Sequence, residues 1–131
     1  MGISDAEPTC RAFPGVKLPL PQNEEENQDY VDAFRAVNDH GQVVIDVLRS
    51  QEVWHDFDGD IIDYTKFGIG VANNDGVDEQ YVVMMLDVYD GVWYNVDGSN
   101  YAAVICEIGS IDEYCAAVPG DCQRKRWTIL K

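Results

Sequence analysis

Oxygen-bearing side chains dominate the residues that could do chemistry in this sequence. Asp56, Asp58 and Asp60 alternate along D-F-D-G-D, Asn73 and Glu79 flank a second turn-rich stretch, and Asn95 and Asp97 follow Trp93 and Tyr94. Such groups suit Ca2+, which takes about six to eight oxygens, mostly from carboxylates and amides. The first group fails the test of a twelve-residue calcium loop, which needs Gly at its sixth position and Glu at its twelfth. Counted from Asp56, those positions hold Ile61 and Phe67, so the run reads as an acidic turn. Catalysis finds no foothold. A nucleophilic triad needs a His beside a nucleophile and an orienting acid, and neither His40 nor His55 has that context. Paired carboxylates such as Asp58 and Asp60 could do acid–base work, but in so acidic a chain any one pair is uninformative. No enzyme activity is expected.

The composition narrows the partners. The chain has 131 residues, one domain by length, and a formal charge of -15 from 24 acids against nine bases. Nucleic acid and anionic membrane surfaces need clustered Lys and Arg, so neither is expected as a partner. Much of the charge reads as a solvated acidic surface. Four cysteines in a small chain suggest two disulfides and an oxidising compartment. There is no C-x-x-C zinc spacing, and no apolar run reaches the roughly 18 residues of a membrane span. The N-terminus, MGISDAEPTC, lacks a hydrophobic signal core. A secreted protein would then have lost its signal, or the chain is a fragment. Ala6 stands where a myristoylation signal wants Ser or Thr.

Elements able to position those oxygens are legible in order. Asp5 to Phe13 suits the last turns of a helix stopped by Pro14-Gly15, and Leu18-Pro19-Leu20-Pro21 is extended. Asn23 offers an N-cap, and Glu24, Glu25 and Glu26 match the helix dipole in a first turn. Tyr30, Val31, Phe34 and Val37 recur at helical spacing, which predicts an amphipathic helix over 24–38. Tyr81 to Leu86 (Met84 and Met85 within its core) and Tyr101 to Cys106 are short apolar runs that read as buried strands. Between them, Asp58-Gly59, Asp75-Gly76, Asp90-Gly91 and Asp97-Gly98 mark turns. A long irregular loop is expected from about Asp63 to Gly91. So much irregular chain in a compact domain suggests a recognition surface mounted on a small sheet. After Glu107, Cys115 and Cys122 bracket Pro119-Gly120, and RKRWTILK holds four of the nine bases. For this tail, a strand lying back on the domain and disorder both remain open.

The order W-x-x-F-D-G, D-Y-T-x-F, N-N-D-G, E-x-Y-V-V-M, G-x-W and V-I-C-E, from Trp54 to Glu107, resembles a C-type lectin-like domain. Towards the N-terminus, C-x-x-x-x-G-x-x-L and P-Q-N-E-E-E-N resemble the end of that family's first helix, its connector and its second helix. Val43 to Leu48 falls where the family has a central strand. The resemblance implies an α+β fold of two helices, small antiparallel sheets and a long loop over residues 1–108, with 109–131 as a C-terminal extension. The family's first strand, which pairs with the last, should precede Cys10, where only nine residues are available. Either the chain is truncated or something else covers that edge.

Site residues follow from the resemblance alone. Cys10 and Cys106 match the pair that ties the first helix to the last strand, leaving Cys115 to pair with Cys122. The family's second bridge is missing, with Tyr81 and Gly98 in place of its cysteines. Trp54, Phe57, Phe67 and Trp93 are expected to be buried instead, packing the loop's base onto the sheet. Sugar-binding members hold calcium with a Glu-Pro-Asn triplet, a following Glu and a Trp-Asn-Asp triplet. Here the counterparts are Val71-Ala72-Asn73, Glu79 and Trp93-Tyr94-Asn95. Asn73, Glu79 and Asn95 are the calcium candidates left, with Asp75 or Asp97 able to add oxygens, so calcium is not expected at the standard site and no other cofactor is implied. Trp93 and Tyr94 read as packing residues before ligand platforms. The candidate ligand-binding set is Asn73, Glu79, Tyr94, Asn95 and Asp97. The function implied is extracellular recognition of a glycan or protein by a secreted module, in no particular oligomeric state. The alternative is an acidic structural or mineral-associated protein that binds cations diffusely.

Overall fold

The structure is a computed structural model that describes residues 2–37, 41–50, 53–67, 81–86, 91–96, 102–117 and 127–130. A 3-10 turn at Ile3–Asp5 leads into helix α1 (Ala6–Arg11), which lies within the expected Asp5–Phe13 span and ends two residues short of it. Strand β1 (Val16–Lys17) follows Gly15, whose φ of 74° turns the chain. Helix α2 (Glu24–Val37) is capped as anticipated, Asn23 Oδ1 accepting from the Glu26 amide at 2.7 Å. Strands β2 (Gln42–Ser50) and β3 (Val53–His55) form a hairpin. Strand β4 (Tyr81–Met85) is the strand expected at Tyr81–Leu86 and interrupts the span given as irregular loop, and β5 (Trp93–Val96) follows it. Strand β6 (Val104–Ile108), helix α3 (Ile111–Ala117) and strand β7 (Trp127–Leu130) complete the described elements. None of the helices among the described residues is long and apolar enough to cross a membrane.

Two antiparallel sheets result, one in the order β1-β6-β7 and one in the order β3-β2-β4-β5. They meet where Val44 N donates to Ala103 O and Ala103 N donates to Gln42 O. The apolar runs of the sequence make sense here, because β2, β4 and β6 bury both faces. Val44, Val83, Val104 and Cys106 face a first core shared with Ile3, Ala6, Cys10 and Leu18. Val43, Ile45, Val82, Met84 and Ile105 face a second core against Tyr30, Val31 and Phe34 of α2.

Two expectations need correction. Helix α3 makes a third helix where two are expected, inside the segment taken as a C-terminal extension, and Ser110-x-x-Glu113 starts it in the manner of a capping box. The strand expected at Tyr101–Cys106 is β6, shifted to Val104–Ile108 because Cys106 and Ile108 both reach the first core. Among the described residues no strand precedes Cys10, since Ile3–Arg11 is helical. Instead β6 is central, paired by β1 on one side and by β7 on the other. Of the two readings of the tail, 127–130 takes the strand, with Cys106 opposite Thr128.

Candidate functional site

Of the expected ligand residues, Tyr94 and Asn95 lie on β5, at the edge of its sheet among the described residues and held in register by β4: Val82 lies opposite Asn95 and Val83 opposite Tyr94. Strand alternation divides the side chains. Trp93 is fully buried and Asn95 is buried too, both on the side of the second core, while Tyr94 and Val96 are half-buried against the first. Trp93 is therefore a packing residue, as anticipated. Asn73, Glu79 and Asp97, with Val71, Asp75 and Gly98, lie outside the described residues, so of the candidate set only Tyr94 and Asn95 are placed.

Beneath β5 an aromatic seat holds Trp93. The rings of Tyr64 and Phe67 meet it edge-on, each with centroids 5.7 Å away, and Trp54 packs on Phe67 at 4.7 Å under the guanidinium of Arg49. Such edge-to-face contacts add to area burial because ring edges and faces carry opposite partial charge. Of the four aromatics expected at the loop's base, Trp93 is buried and Trp54, Phe57 and Phe67 are half-buried. Phe57 packs on Tyr81, one of the two positions where the second disulfide would start, at 6.3 Å.

Polar contacts fix the seat to α2. Trp93 Nε1 donates to Asn27 Oδ1 at 2.9 Å, and Asn27 Nδ2 donates to Gly91 O at 3.1 Å. Asn27 is fully buried. Gly91 sits at φ 88°, and a Cβ there would come within 2.5 Å of Val31 Cγ2. One turn along, Glu24 accepts from Tyr64 Oη at 2.6 Å and pairs with Lys66. These two donors hold the Glu24 carboxyl below its usual range, while burial and the Glu24 charge push the Tyr64 phenol up. Arg35 Nε donates to Leu86 O at 2.8 Å. Asn27 is not among the residues expected at the site. Its signal in the sequence is a polar residue in the stripe that continues to Tyr30, Val31 and Phe34.

Two other acidic features are accounted for locally. Asp56 Oδ1 accepts from the amides of Asp58 and Asp60, both at 2.9 Å, so the D-F-D-G-D run is a side-chain-stabilised turn. Asp58 in turn accepts from Arg11 Nη2 through both carboxylate oxygens, while Arg11 Nε pairs with Glu7. Tyr30 Oη lies within hydrogen-bond distance of both Glu26 and Glu107, and burial first, then these carboxylates, push its phenol pKa upward. Among the described residues no group of three His, Cys, Asp or Glu side chains is gathered as a metal site.

Cys10 and Cys106 are joined, with Cα atoms 5.6 Å apart, inside the expected span of about 4.4–6.8 Å. Cys115 is also disulfide-bonded; Cys122, its expected partner, lies outside the described residues.

No family model matches the chain. It is 30% identical over 105 residues to collectin-43 of Bos taurus, a match that covers 79% of this chain and 32% of that protein. The chain thus spans about a third of the length of the curated relative it matches. Its fold is similar to that of the C-type lectin CEL-I from Cucumaria echinata, with a TM-score of 0.72, 19% identity and 81% of each chain covered. Human lithostathine is similar at a TM-score of 0.63 and 18% identity, over 76% of this chain and 70% of that one. The chain thus has the C-type lectin-like fold.

Proposed function

We propose that this chain is an extracellular recognition module that binds a glycan or an extracellular protein, without the standard calcium site. The observation that supports the reading is the seat under β5. An edge strand with the Trp93-Tyr94-Asn95 triplet is braced from behind by a buried amide and a set of aromatic rings, as a binding strand has to be. Contacts would come from Asn73, Glu79, Tyr94, Asn95 and Asp97. Secretion fits the oxidised cysteines. Calcium is disfavoured by the donor chemistry. Val71 has no side-chain oxygen, the half-buried Tyr94 offers a phenol rather than a carboxylate or amide, and Asn95 is neutral. Fewer charged ligands weaken calcium binding.

A glycan array with and without calcium, followed by calorimetry with mannose and galactose in calcium and in chelator, tests this. Saturable binding that survives chelator is expected. Chelator-sensitive sugar binding that disappears in Glu79→Ala would show that the site uses calcium after all. The charge of -15 supports a second reading, diffuse cation binding by an acidic structural protein. Weak, non-saturating calcium uptake with no ligand on the array would favour it.

A further inference from the structure

We propose that Asn27 is a positioning residue for β5: one helical side chain sets where the recognition strand lies. The inference rests on the recognition reading only for its functional meaning. Its structural content is independent. The indole Nε1 can only donate, so the Asn27 atom facing it at 2.9 Å must be the carbonyl oxygen. That leaves the amide NH2 for Gly91 O at 3.1 Å. A side chain with one acceptor and one donor thus reads two points on either side of Val92, and no other uncharged residue of that length can do so. Rotation of the amide is blocked, because it would set donor against donor and acceptor against acceptor.

The neighbours on α2 reinforce this. Glu24, Asn27, Val31 and Arg35 are spaced by three, four and four residues and so share one face of the helix. Glu24 holds Tyr64 and Lys66, Val31 packs at Gly91, and Arg35 takes Leu86 O. Lys66 O in turn accepts from the Trp93 amide at 2.9 Å. The stripe therefore grips the chain before β5, β5 itself and the end of β4. Asn27 is its fully buried polar member, so its contacts are sheltered from water and salt.

Asn27→Asp and Asn27→Ala test the assignment. The carboxylate keeps an acceptor for Trp93 but turns an oxygen towards Gly91 O, whereas alanine leaves both partners without Asn27. Hydrogen exchange by NMR should show the Trp93 indole N–H and the amides of 92–96 opening about tenfold or more faster, with 104–108 unchanged. Mannose and galactose binding, where the native chain shows it, should fall about tenfold in step. If exchange rises equally in β2, β4 and β6, or does not change in either variant, the assignment is overturned. Should the native chain bind neither sugar while β5 still loosens selectively, the positioning role stands and the recognition reading alone is damaged.

Discussion

Around Cys10 the domain is closed by a covalent bond, and around Trp93 it is closed by side chains reaching out of one helix. The first core joins α1, β1 and β6, and the Cys10–Cys106 bridge runs through it between two fully buried residues. The second core lies between α2 and the sheet, and no described disulfide crosses it. There Glu24, Asn27 and Arg35 bind backbone and side-chain atoms of residues 64–93 instead. A disulfide restricts the unfolded chain and leaves little freedom in the folded one. Hydrogen bonds from a helix face set position and can be adjusted residue by residue.

The largest effect that would sharpen this contrast belongs to the bridge. Cys10→Ala/Cys106→Ala reopens a link across 96 residues of separation. In the chain-entropy model this costs roughly 4–5 kcal/mol. Denaturant unfolding should show that loss, with hydrogen exchange in β1 and β6 accelerated before exchange in β5. A cost near zero, or first opening at β5, would mean that the two cores are not closed separately.

What the sequence shows of this arrangement follows from which signals are local. Helix α2 is legible because cap, acidic first turn and apolar spacing all lie within its own residues. Strand β4 is legible because burial on both faces leaves a continuous apolar run, whereas β2, interrupted by Asp46, is placed only by the resemblance. Strand β1 has two residues and β3 three, too few for any period to show; only pairing with β6 and β2 makes them strands. The apolar run ends at Cys106, but β6 continues through the charged Glu107, which lies within hydrogen-bond distance of Tyr30 Oη. The candidate ligand residues came from a resemblance, and Asn27, which holds the described part of that site, bears on it through contacts 64 and 66 residues away that no local pattern contains.

The next effect concerns a buried acid beside the first core. Asp46 interrupts the apolar run of β2, is 3% exposed, and accepts from the Phe57 amide at 2.9 Å. Burial pushes its carboxyl from an ordinary value near 3.8 to about 6, helped by Asp56 and opposed by the Phe57 amide, Arg11 and Lys17. The native state therefore binds this proton more tightly than the unfolded chain does. Above both values the buried charge costs up to about 3 kcal/mol, because each tenfold gain in proton affinity is worth about 1.4 kcal/mol. That cost is relieved as pH falls from about 6 towards 3.8, and below that there is no further change. Asp46→Asn keeps an oxygen for the Phe57 amide without the charge, so it should be the more stable protein at about pH 7, its advantage vanishing near pH 4. Denaturant unfolding of both proteins across that range measures the difference. A variant less stable than the native chain at neutral pH would show the carboxylate to be stabilising the first core after all.

The smallest effect separates the outer end of the α2 stripe from its buried middle. Glu24 binds Tyr64 and Lys66, but its side chain is 64% exposed. Its carboxyl is depressed by the Lys66 hydrogen bond first and by Tyr64 second. A depressed folded pKa means stability that is present above the unfolded value and lost as pH falls through the folded one. Water and salt screen an exposed pair, so Glu24→Gln should cost less than about 1 kcal/mol. That small cost should shrink further in about 1 M salt, where the screening length falls to about 3 Å. Asn27→Asp should show no such salt sensitivity in the Trp93 indole exchange, because its contacts are buried. Both variants are measured at low and high salt, by denaturant unfolding and by hydrogen exchange. If Glu24→Gln loosens β5 as much as Asn27→Asp does, and salt leaves that loosening unchanged, the grip on the strand is shared along the helix and not centred on the buried amide.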